Sequence, residues 1–188
     1  MASSTVTREK RVEAGRVKIL AEAAVMLALA TVLSFFKIFR MPQGGSVTPA
    51  SMVPIILFAI RRGLKYGIAA GVVFGLIRLY LGFYVVHPVQ MLLDYPLAFG
   101  ALGLAGLLRG RESPQAAAAG SALGIGGRFF CHWLSGVIFF AEYAPAGQHP
   151  ALYSLIYNGG YLGVELVVSA LIMALLAKAG VMKVFLYV

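Results

Sequence analysis

The chain has 188 residues, 60% of them hydrophobic and 12% charged, with a formal net charge of +9. So few polar residues cannot cover the surface of a soluble domain of this size. The apolar stretches are long and continuous, which excludes the short alternating segments of a transmembrane β-barrel.

The first 18 residues, MASSTVTREKRVEAGRVK, are polar and basic, with no small-residue cleavage site after them. They read as a cytoplasmic tail rather than a removable signal. Residues 19–188 then read as one transmembrane domain, an all-α integral membrane bundle of six helices. Its predicted spans are 19–38, 48–61, 64–85, 88–108, 115–142 and 151–177. The second is short and carries Pro49 and Pro54, so a break or tilt is expected there. Turn-forming punctuation separates the spans: MPQGG at 41–45, RRG at 61–63, HP at 87–88, RGRESP at 109–114 and PAGQHP at 145–150.

With the N-terminus inside, the inner segments hold Arg8, Lys10, Arg11, Arg16, Lys18, Arg61, Arg62, Lys65, Arg109, Arg111, Lys178 and Lys183. The outer loops hold only Lys37 and Arg40. This bias predicts a cell-membrane protein with both termini cytoplasmic. Basic residues that punctuate spans are topology signals among membrane lipids, not a nucleic-acid stripe. The single Cys131 excludes an internal disulfide and reads as a small core residue.

Ala24 and Ala28 share a face of the first span, and Gly67, Gly71 and Gly75 a face of the third. Such rows let helices approach closely. The glycine row is expected to pack inside the bundle. For the alanine row two readings stand: packing inside the bundle, or docking onto a partner membrane protein.

An ionisable group in mid-bilayer costs at least ~2.5–3.5 kcal/mol on insertion scales, so each calls for a partner or a function. Glu22, near the inner end of its span, is expected to reach the interface. Arg128 lies 19 positions before the turn near residue 147 and Glu165 lies 18 after it, which predicts an ion pair. Asp94, His132 and Asn158 lie roughly 6, 11 and 8 residues from the outer ends of their spans, or ~9–16 Å deep. Three helices thus bring polar side chains to comparable depth, a candidate pocket open to the outside.

Aromatic residues surround that level. His132, Gly136, Phe139, Phe140 and Tyr143 share one helical face, with Gly136 leaving a gap for a flat ligand. Tyr153, Tyr157, Tyr161, Tyr84 and Tyr95 lie close by, although tyrosines also form ordinary interfacial belts. Asp94 has a second reading, because Arg78 is as far before the turn near residue 86 as Asp94 is after it. A carboxylate, an imidazole, an amide and aromatic faces suit a flat, heteroaromatic, cationic solute. Arg78 aside, no basic cluster is expected near this pocket, which disfavours phosphorylated solutes.

The stretches GGSVTPASMVPIILFAIRRG (44–63), LLDYPLAFGALGLAG (92–106), FFCHWLSGVIFF (129–140) and YSLIYNG (153–159) together resemble one family. It is the thiamin-specific substrate-binding subunit of energy-coupling-factor importers, and the resemblance runs from about residue 19 to 178. The resemblance implies capture of thiamin from outside and docking onto a transmembrane coupling protein with two cytoplasmic ATPases. It also implies residue roles. Asp94 stands at an acidic position, commonly Glu, that contacts the aminopyrimidine ring, with Tyr95 and Tyr84 near the same ring. His132 stands near the thiazolium ring. Tyr153 and Asn158 match a pair that holds the hydroxyethyl end and the ring region. They are ~140° apart on a regular helix, so a loop or helix start is expected near Tyr153. Phe140 and Gly45 stand where a relative carries tryptophans, and Ala24 and Ala28 match the face that meets the coupling protein.

Other classes fit less well. No GxxxxGK[ST] stretch is present, as expected if ATP hydrolysis belongs to partners. No enzymatic activity and no cofactor is predicted: His87, His132 and His149 lack metal-ligand spacing, and no Ser or Cys nucleophile has a visible base. The Gly/Pro-broken matching halves of an autonomous secondary transporter are not visible. A subunit for a related vitamin or thiamin precursor is the nearest alternative.

Overall fold

The computed structural model describes residues 2–42, 44–82 and 84–184. Five helices among them are long and apolar enough to cross a membrane. α1 runs Ala2–Phe35, with its apolar part at Glu13–Phe35. A two-stranded hairpin follows, β1 (Phe39–Arg40) pairing antiparallel with β2 (Ser46–Val47). Then come α2 (Val53–Arg62), α3 (Leu64–Leu81), α4 (Pro88–Leu108), α5 (Pro114–Phe139), α6 (Pro150–Lys178) and the short α7 (Val181–Val184).

The predicted second span is the main departure. α2 has only 10 residues, about 15 Å of helix, half the thickness of a bilayer core. Every residue from Val53 to Arg61 is buried, so α2 is a plug at the centre of the bundle rather than a wall of it. Pro54 sits in its first turn, where the missing N–H costs nothing. The residues before it, 48–52, are non-helical, and Thr48 is held there by Glu165 of α6.

Three of the punctuating stretches, at 87–88, 109–114 and 145–150, turn out to hold helix caps. His87 caps α4, Ser113 caps α5 and His149 caps α6, each side chain accepting from a backbone N–H two or three residues on. A proline follows each cap at the first helical position. Gly63, at φ +91, makes the turn from α2 into α3 that a β-carbon would strain.

The glycine row of α3 packs inside, as expected. A β-carbon on Gly71 would lie 2.2 Å from the Phe99 carbonyl oxygen, and one on Gly75 2.4 Å from that of Tyr95. Gly103 and Gly106 of α4 meet the backbone of α3 in the same way. Backbone-to-backbone contact of this kind replaces the hydrophobic drive that lipid does not supply. The alanine row behaves differently. Met26 and Ala30 of α1 are buried, whereas Ala24 and Ala28 are exposed and face away from the bundle.

Glu22 corrects its expectation. It does not reach out to the interface; it forms an ion pair with Arg61 at 2.7 Å and a second one with Arg62, clamping α1 to the end of α2. Arg61, read from sequence as a loop charge, is buried. The Arg128–Glu165 pair is present at 3.7 Å, tying α5 to α6 as predicted.

Candidate functional site

Consecutive helices run in opposite directions, and a cavity opens at the end remote from the Glu22 clamp. Its lining comes from the β-hairpin, α3, the 82–87 loop, α4, α5 and α6. Of the site residues singled out in the sequence, Asp94, Tyr95, Tyr84, His132, Phe140, Tyr153 and Asn158 all line it. Gly136 does not. The space a β-carbon would take there holds the Ser154 hydroxyl, 2.2 Å away, so this glycine seats α6 against α5 instead of leaving a gap for ligand.

Asp94 is placed by an irregularity in α4. Pro96 has no N–H to give to the preceding turn, and the helix widens to a π-turn over Leu93–Leu97. The Asp94 carboxylate then meets three donors. Its Oδ2 accepts from Gln90 at 2.7 Å and from Ser135 at 2.9 Å, and its Oδ1 meets His132 Nδ1 at 2.9 Å. Arg78 is not among them; it donates to the Ser34 hydroxyl of α1 at 2.8 Å. The Asp94–Arg78 pairing considered from sequence is therefore not made. A carboxylate offers about four acceptor sites, so one lone pair on Oδ1 stays open to the cavity.

His132 links Asp94 to the buried pair below. Arg128 Nε donates to His132 Nε2 at 3.3 Å, which puts the imidazole proton on Nδ1, where it faces Asp94. Arg128 also lies over the Phe99 ring, 4.2 Å from its centroid, and reaches the Met52 sulfur at 2.8 Å. Asn158 is buried: its Nδ2 donates to the His132 carbonyl at 3.3 Å and to Ser154, and its Oδ1 accepts from Tyr161 at 3.1 Å. Tyr153 falls in the first turn of α6, which begins at Pro150, so the helix start expected there is present.

Aromatic walls enclose the space. Tyr84 and Phe140 stack with centroids 6.1 Å apart, and Tyr153, Tyr157 and Tyr161 form a row along α6. Gly45 lies against Tyr161; a β-carbon there would come within 2.8 Å of that ring. Tyr157 reaches the Gly45 N–H at 3.4 Å, so two tyrosines of α6 occupy that wall. Burial, with a hydrogen bond to Tyr143, pushes the Tyr84 phenol above its ordinary range.

Sequence reasoning missed Gln90, Ser135, Ser154 and Lys37, all of which line the cavity. Uncharged polar residues inside apolar stretches were the available signal. Lys37, Arg78 and Arg128 together also overturn the expectation that no basic cluster lies near the pocket. Burial, then the charges of Arg78 and Arg40, hold the Lys37 ammonium below its ordinary range.

A bundle of apolar helices holding a polar, aromatic-walled cavity at one end defines a polytopic membrane transport protein that takes a small solute. A family model described as thiamine transporter protein matches residues 20–184, and the chain belongs to that family. Thiamine transporter ThiT of Bacillus subtilis (strain 168) is 37% identical over 171 residues, 84% of this chain and 88% of the relative. Thiamine transporter ThiT of Lacticaseibacillus paracasei is 35% identical over 161 residues, 76% of this chain and 78% of the relative. The solved structure of ThiT from Listeria monocytogenes superposes with a TM-score of 0.80 at 29% identity, covering 88% of this chain and 96% of that one.

Proposed function

We propose that this chain is the thiamin-capture subunit of an energy-coupling-factor importer, binding thiamin from the outer face in the cavity around Asp94. The observation that carries the reading is a half-buried carboxylate on the lining of an aromatic-walled cavity, held by three hydrogen bonds of which Oδ1 takes only one. An aminopyrimidine N–H can complete that carboxylate, and a charge-assisted bond of this kind is stronger than a neutral one. Tyr84 and Tyr95 flank the pyrimidine, and His132, Phe140, Tyr153 and Asn158 take the thiazolium and hydroxyethyl parts. Aromatic faces attract the thiazolium charge by their quadrupoles.

In this reading α2 counts as the sixth membrane helix, both termini are cytoplasmic, and the polar first 18 residues form a tail on that side. The cavity then faces outward, and the chain performs no catalysis. Ala24 and Ala28 supply the face on which a coupling protein docks, with two ATPases beneath it to drive delivery inward. Their exposure on α1 supports this over packing within the chain.

Calorimetric titration of the purified protein with thiamin tests capture; no detectable binding at micromolar ligand contradicts it. Trp133 is a poor reporter, because it lies outside the cavity lining. Competition by thiamin precursors and related vitamins tests the nearest alternative. Uptake should require a co-expressed coupling module. Uptake without one would instead identify an autonomous transporter.

A further inference from the structure

Gln90 stands apart from the other polar residues of the cavity because both of its amide donors and its carbonyl oxygen join two walls. It is 1% exposed, on the first turns of α4. Its Nε2 donates to Asp94 Oδ2 at 2.7 Å and to the Tyr84 carbonyl at 3.4 Å, and its Oε1 accepts from the Val86 N–H at 3.1 Å. The amide can point only one way: flipped, its oxygen would face a carboxylate and its NH2 a backbone N–H. The 82–87 loop that it grips carries Tyr84 onto Phe140. Tyr95 grips the same loop, its hydroxyl accepting from the Tyr84 N–H at 3.2 Å.

We propose that Gln90 is a positioning residue for substrate recognition, holding the Asp94 carboxylate and the Tyr84 loop in one fixed relation. This rests on the reading of Asp94 as the contact for the aminopyrimidine. Without Gln90, Oδ2 loses its shortest bond, and the carboxylate turns away from the direction that leaves Oδ1 open to ligand. The loop loses its anchor in the same step. The two walls that discriminate the ring therefore loosen together, with Gln90 acting through Asp94 and the Tyr84 loop.

Two variants test this. Gln90→Leu should bind thiamin about 10- to 100-fold more weakly, the scale of one charge-assisted hydrogen bond. It should also lose most of the wild-type discrimination against the analogue in which oxygen replaces the ring amine. Gln90→Glu sets two carboxyl groups side by side, which must share a proton to stay in contact. Its affinity should be near wild type at about pH 5 and fall as pH rises towards about 8, more steeply than in the wild type, which shares the facing His132, Arg78, Arg128 and Lys37 and so sets the baseline. Melting temperature without ligand, measured in parallel, separates positioning from folding, because only a structural role moves it in step with affinity. Unchanged affinity in both variants, or a loss equal for thiamin and the analogue with no new pH dependence, would overturn the proposal. Wild-type protein that binds no thiamin would contradict the underlying reading and this inference with it, an outcome distinct from variants that match a thiamin-binding wild type.

Discussion

At the scale of single residues, the site is an electrostatic chain rather than a set of separate contacts. Glu165 holds Thr48 by a 2.6 Å bond to its N–H and pairs with Arg128, Arg128 donates to His132, and His132 meets Asp94. Each buried charge is thereby compensated, as burial in a membrane bundle demands. Lys37 and Arg78, by contrast, sit on the lining with no carboxylate in contact among the described residues. Thiamin monophosphate is therefore expected to compete with thiamin. Arg78→Gln should weaken the monophosphate about tenfold more than thiamin itself, since only the ester presents an anion to the cation. Competition titrations of the two ligands on wild type and variant check this; equal losses would remove Arg78 from that role.

At the scale of elements, α1 presents one face to the bundle and another away from it. The Glu22 clamp fixes which face is which. Glu22→Gln takes the carboxylate from both Arg61 and Arg62 and should destabilise the protein by about 3 kcal/mol, read as thermal unfolding in detergent. Leucine at Ala24 and Ala28 should do something quite different. Both positions are exposed, so stability should stay within ~0.5 kcal/mol. Thiamin affinity should also be unchanged, while uptake driven by a coupling module falls. A matching loss of stability would return the alanine row to internal packing. In α3, Gly71→Ala should cost about 1–3 kcal/mol, because its β-carbon meets backbone, which cannot rotate away.

The same elements show what a linear reading can reach. Long apolar runs and their proline-led starts are local, so five spans and the helix start before Tyr153 were legible. Their ends were less so: the apolar part of α1 begins before the predicted residue 19, and α1, α3 and α5 stop short of the predicted 38, 85 and 142. The Arg128–Glu165 pair was legible too, because a hairpin fixes relative depth. The length of α2 was legible only in part: Pro49 and Pro54 announced a break, but nothing local says that Thr48 is held off the helix by a carboxylate on α6. The π-turn in α4 arises where Pro96 meets packing against α3, and the inward turn of Glu22 depends on arginines at 61 and 62, far along the chain. Gly136 was misread because a missing side chain looks the same from sequence whether ligand or Ser154 fills the space.

For the whole molecule, buried polar groups divide between two ends. One end carries the Glu22 clamp; the other carries the cavity, lined in part by the hairpin and the Tyr84 loop. Five long helices around the short α2 hold the two apart, so the cavity and the exposed face of α1 can be tested independently. In the proposed function Asp94 receives thiamin. Paired calorimetric titrations of wild type and Asp94→Asn, in the same detergent and buffer, address it most directly. The wild type should bind tightly and the variant about 10- to 100-fold or more weakly, the scale of a charge-assisted hydrogen bond. Equal affinity in the two proteins would contradict that role.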